Sequence, residues 1–107
     1  MVQKRFLQLS PERKGLIRRC QDIGFGKIMH FSISNGEPLF TPETELFLDV
    51  KLDSDAQPRT EIDLSDFTLS SEIIRLFERF EAIGNGVVDH LEIRAGLPRR
   101  IVLKLQK

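Results

Sequence analysis

The chain has 107 residues, 40% hydrophobic and 30% charged, and its sixteen basic residues balance sixteen acidic ones. That size and composition fit one globular domain with one core, taken here as residues 1–107. No apolar run is long enough to cross a bilayer, the first residues lack the apolar stretch of a secretory signal, and the single cysteine, Cys20, excludes an internal disulfide or a cysteine-based zinc knuckle.

In chain order, VQKRFLQL at the N-terminus reads as an edge strand. Ser10-Pro11-Glu12 then opens a helix: serine can cap, proline suits the first helical position, and glutamate complements the positive end of the dipole. Leu16, Ile17, Cys20 and Ile23 form its apolar stripe, and Gly24 falls where a left-handed residue ends a helix. A strand follows, with Met29, Phe31 and Ile33 expected toward the core and Ile28, His30 and Ser32 on the opposite face. Asn35-Gly36 is a strong hairpin signal. The return strand is delayed by Thr41-Pro42-Glu43, after which Leu46, Leu48, Val50 and Leu52 are expected inward and Glu45, Phe47, Asp49 and Lys51 outward.

Residues 53–66 form a polar connector. Its Asp53, Asp55 and Glu61 do not make a calcium loop, because Pro58 stands where the loop needs glycine and Leu64 where it needs glutamate. Ser70 and Glu72 open a second helix, striped by Ile73, Ile74, Leu76, Phe77, Phe80 and Ile83 and ended by Gly84. In the strand after it, Val87, Leu91 and Ile93 are expected inward, Asp89 breaks the pattern, and Val88, His90, Glu92 and Arg94 point away. Beyond Ala95-Gly96 the return strand alternates Ile101, Leu103 and Leu105 with Arg100, Val102, Lys104 and Gln106.

The two halves echo each other. Aligned without gaps, residues 9–38 and 69–98 share twelve identities in thirty positions, among them Gly24/Gly84, Gly26/Gly86, His30/His90, Gly36/Gly96 and Pro38/Pro98. About two are expected by chance at ordinary residue frequencies. We read a duplicated unit, residues 9–52 and 69–106. The expected fold is therefore α+β: two helix–strand–strand repeats related by a pseudo-two-fold, giving a four- to five-stranded antiparallel sheet with both helices on one face. A curled half-barrel is the alternative. The order helix, glycines, strand also excludes a dinucleotide loop, in which phosphate meets a helix N-terminus.

Two helices cover one face of such a sheet and leave the other open. His30, Ser32, Phe47, Lys51, His90, Glu92, Arg94, Arg100 and Lys104 are the candidate binding-face residues, joined by Asp49 and by Ile28, Val88 and Val102. A mixed face of this kind suits a homodimer, or a protein or small-molecule ligand. His30 and His90 hold equivalent places, but two histidines without HxH or HExxH spacing are too few ligands for a firm metal site, and no cofactor is expected. Cys20 lies on a helix stripe, as packing. The serines lack a nucleophile elbow, and no buried carboxylate pair is apparent. A metal-binding protein or enzyme centred on His30 and His90 ranks below a non-enzymatic module.

Charge is unevenly spread: residues 1–27 carry +5, 37–92 carry −10, and 93–107 carry +5. Basic termini could hold nucleic acid, but zero net charge and an open face with only Phe47 for base stacking rank that reading lower. The elements IGFGKIMHFSISNGEP and IGNGVVDHLEIRAGLP resemble small bacterial proteins of unknown function that carry one or two such helix–hairpin units. With their helices, these segments cover about sixty of the 107 residues. The resemblance implies a bacterial, cytoplasmic protein and carries over structural glycines, a turn proline and core aliphatics, with no catalytic residue.

Overall fold

A computed structural model describes residues 5–50, 52 and 67–104. Lys51, the connector 53–66, Leu105, Gln106 and the first four residues lie outside the described residues. The fold is α+β, with two helices and a five-stranded antiparallel sheet. Helix α1 (Pro11–Ile23) leads to β1 (Gly26–Ser34), β2 (Glu37–Leu39) and β3 (Glu45–Leu48). Helix α2 (Ser71–Ile83) leads to β4 (Gly86–Arg94) and β5 (Leu97–Lys104). The sheet order is β2-β1-β4-β5, with β3 continuing along the same edge of β1 that β2 begins.

Both helix starts follow from their caps. The Ser10 hydroxyl accepts from the Arg13 N–H and the Ser70 hydroxyl from the Ile73 N–H, satisfying an orphan donor in each first turn. Both ends follow from glycine, since Gly24 and Gly84 stand at φ 70° and 74°. Each hairpin turn then docks on the other half's helix end: Gly36 N–H donates to Gly84 O at 2.7 Å and Gly96 N–H to Gly24 O at 2.8 Å. The recurring glycines thus clamp two hairpins to two helix C-termini. Both turns have positive φ at their two central residues, Asn35-Gly36 and Ala95-Gly96, the geometry of a two-residue hairpin that matches strand twist.

The core is one cluster. Leu16, Ile17 and Cys20 of α1 and Ile73, Leu76, Phe77 and Phe80 of α2 pack on Ile28, Phe31, Ile33, Val88, Leu91 and Ile93 of the two central strands. Phe6, Leu9 and Leu69 close one side, with the Phe6 and Phe67 rings stacked at 4.9 Å.

Four expectations about this architecture need correction. Residues 6–8 form a short 3-10 turn, and Arg5 makes a single bridge to Thr68, so the described part of the N-terminal stretch is no edge strand. The fifth strand comes instead from the first return segment, which breaks into β2 and β3 around Pro42. The inward face of β1 holds Ile28, not Met29, and that of β4 holds Val88, not Val87. A bulge at His30 (φ 62°) and a register shift between Val88 and His90 insert one residue into each strand, which reverses which alternate residues face the core upstream of it. The same bulge explains why Asp89 broke the alternation. Finally, Leu46, Leu48, Val50 and Leu52 are exposed rather than inward. The helices close over β1 and β4, β3 lies at the sheet margin, and the ladder ends before Val50.

Candidate functional site

Strands β1 and β4 are neighbours, and their register (Ile28 opposite Leu91, Met29 opposite His90, Phe31 opposite Val88) brings the bulge at His30 and the bulge at Asp89, next to His90, to the same level of the sheet. His30 is exposed, and its carbonyl accepts from Thr44 Oγ1 at 2.9 Å, which ties the bulge to the loop before β3. His90 is half-buried. Its Nδ1 lies 2.8 Å from Asp89 Oδ2 and its Nε2 3.9 Å from Glu92 Oε2. The hydrogen bond from His90 lowers the Asp89 carboxyl below the usual range; the nearby charges of His90, His30 and Lys104 act in the same direction, against partial desolvation. Glu92 also holds Arg100 at 3.2 Å. Among the described residues, no three histidine, cysteine, aspartate or glutamate side chains converge as metal ligands.

The predicted binding-face residues do not all come together. Phe47, Asp49, His90, Glu92 and Arg94 line one open cleft of about 630 Å³, at the end of the sheet where β3, β1 and β4 meet. Arg94 and Glu92 also border a second depression with Arg99 and Arg100. His30, Ser32 and Lys104 lie outside the cleft lining, and Lys51 lies outside the described residues. Ile28 and Val88 leave the face altogether, because the bulges turn them into the core.

Phe25 and Lys27 were not among the residues singled out from sequence, yet both line the cleft. Lys27 Nζ sits 5.4 Å from the centre of the Phe47 ring, and Phe25 is exposed. A signal existed: Phe25 is a large apolar residue held between two glycines just past a helix stripe. Gly26 makes the cleft wall possible, since a Cβ there would run into the Phe47 carbonyl oxygen.

Several basic residues of the N-terminal stretch have structural work. Arg13 is buried, with Nη1 3.2 Å from Glu81, Nε 3.4 Å from Glu37 and Nη2 donating to Gly36 O at 3.1 Å. The guanidinium of Arg18 lies over Phe6 at 4.3 Å and that of Arg19 over Phe40 at 4.5 Å. On α2 and β5, by contrast, Arg75 and Arg79 share a groove with Arg99 and Arg100, where Glu72 pairs with Arg99 at 3.0 Å. Burial pushes the Cys20 thiol up to about 12, so it is packing and no nucleophile.

Among the described residues, no helix is long and apolar enough to cross a membrane. No family model matches the chain, and no match was found to a curated protein or to a solved structure.

Proposed function

We propose that this protein is a small non-enzymatic binding module whose ligand docks on the open face of the sheet. The observation that carries this reading is the cleft at the end of β1, β3 and β4. It combines two exposed aromatic rings, Phe25 and Phe47, with the cationic heads of Lys27 and Arg94 and with two carboxylates, Asp49 and Glu92, the latter already paired with Arg100 at 3.2 Å. Aromatic surface supplies area to bury, and the cations fix orientation, the usual division of labour in a ligand site. A ligand with an apolar body and an anionic end fits that lining, whether a small molecule or a segment of a protein. The buried thiol of Cys20 suits a reducing cytoplasm. Helix bounds displaced by sixty residues, Pro11–Ile23 and Ser71–Ile83, support an origin by duplication within a bacterial helix–hairpin group.

The test is an amide chemical-shift titration with a panel of aromatic and aliphatic carboxylates and phosphates. The expected result is a set of shifts confined to Phe25, Lys27, Phe47 and Arg94, with affinity reduced about tenfold or more by Arg94→Glu. Shifts centred elsewhere, or an Arg94→Glu variant that binds as before, would overturn the reading.

A second reading rests on the arginine groove between α2 and β5, where Arg75 and Arg79 carry no ion pair among the described residues. It makes the protein a nucleic-acid associate, and a flat titration of DNA or RNA at low salt removes it.

A further inference from the structure

The sheet ends in two edges of opposite chemistry. Among the described residues β3 pairs only with β1, and β5 pairs only with β4, so each leaves one row of backbone donors and acceptors open. Natural edges are usually blunted by charge, proline or a bulge, but three of the four residues of β3 are apolar, and Leu46 and Leu48 are 52% and 62% exposed. Register assigns the side chains. Leu46 stands opposite Ile28 and therefore on the helix side, while Glu45 and Phe47 stand opposite Met29 and Lys27 on the open face. Asp49 prolongs this ladder by donating its N–H to Phe25 O. On β5, Ile101 and Leu103 oppose Leu91 and Val88 on the helix side, and Arg100, Val102 and Lys104 oppose Glu92, His90 and Val87 on the open face.

We propose that copies of this chain assemble edge to edge, with β3 of one copy laid antiparallel beside β5 of another and Phe47 opposite Val102. The directions allow it, because each strand runs antiparallel to its neighbour from β3 through β1 and β4 to β5, leaving the two edges opposed. In that register Glu45 meets Lys104 and Asp49 meets Arg100 on the open face. On the helix side Leu46 meets Leu103 and Leu48 meets Ile101. Every position is matched. A slip of one residue sends the leucines to the wrong face, and a slip of two separates both charge pairs. Like edges do not fit each other. Two β3 strands centred on Phe47 set Glu45 against Asp49, and two β5 strands centred on Val102 set Arg100 against Lys104. The contact is heterologous, and it closes if two copies exchange edges reciprocally or runs on as a longer array if they do not.

The experiment is light scattering over a concentration series on the full chain and on Glu45→Lys, Lys104→Glu and the double variant. Both side chains are exposed, so circular dichroism should confirm an intact fold in each. The wild type is expected to associate. Each single substitution should weaken association about tenfold or more, through like charges set face to face. The double variant should recover, and so should an equimolar mixture of the two singles, because their complementary edges then meet. A wild type that stays monomeric, or single variants that associate like it, would overturn the proposal. Neither substitution touches Arg94, so this outcome is separate from that of the ligand titration.

Discussion

At the scale of single residues, Arg13 shows how one side chain can join the two halves of a small protein. The residue is 5% exposed, and its guanidinium lies over the Phe77 ring at 4.9 Å while it reaches the first hairpin turn, β2 and the end of α2. Buried charge of this kind is costly unless paired, so removing the cation strands two carboxylates and a carbonyl. Arg13→Ala is expected to cost about 2–3 kcal/mol, somewhat below a fully buried pair because Glu37 and Glu81 keep some contact with water. Urea denaturation measures it, and a loss under about 0.5 kcal/mol would show the clamp to be incidental. The sequence carried a hint. Position 13 aligns with Ile73, a core residue, so either an arginine there had to be buried or the two segments had to differ at this position. Periodicity alone does not say which, because a long side chain can bury its stem and still find a polar partner.

At the scale of elements, both helices, both hairpin turns and the central strands were legible in the sequence, since caps, glycines and apolar spacing act locally. The bulges were not. A β-bulge is selected by how two strands and a core fit together, and its only trace was Asp89 sitting where an apolar residue was due. Missing it exchanged Ile28 for Met29 and Val88 for Val87, and so placed two core residues on the binding face. Strand β3 was misread for a related reason. Alternation predicts which side a leucine takes, but only the reach of the helices decides whether that side is covered. The attachment of β3 depends on Gly26, whose backbone lies against Phe47. Gly26→Ala should therefore loosen β3 from β1, with a stability loss of about 1–3 kcal/mol and deprotection of β3 amides in hydrogen exchange. Unchanged protection from Leu46 to Leu48 would contradict this close packing.

At the scale of the whole molecule, charge is used for joining rather than for a uniform field. Asp89 is held low by the hydrogen bond from His90. Glu72 is held low by its own backbone N–H in the first turn of α2, with Arg99, Ser71 and the capping Ser70 assisting. Glu43 is held low by hydrogen bonds from Thr41 and its own backbone. In each, the folded pKa lies below the unfolded one. Their contribution is therefore complete above the unfolded carboxylate range near pH 4, and is lost as pH falls through the lower folded values. Thermal midpoints should stay level from about pH 7 to 5 and decline below about pH 4, with the decline reduced in Asp89→Asn. A midpoint that falls already between pH 7 and 5 would point to groups other than these carboxylates.

The amino-acid order by itself determined the two helices and their ends, the two hairpin turns and the α+β class, because those depend on interactions within a few residues of the chain. It also named five residues that meet in one cleft, Phe47, Asp49, His90, Glu92 and Arg94. The tertiary structure alone decided the rest. It set the parity of β1 and β4 through paired bulges, buried Arg13 between elements far apart in sequence, and drew Phe25 and Lys27 into the cleft. It also left β3 and β5 as opposed edges. Each of these depends on which distant surfaces meet, and a local pattern does not encode that.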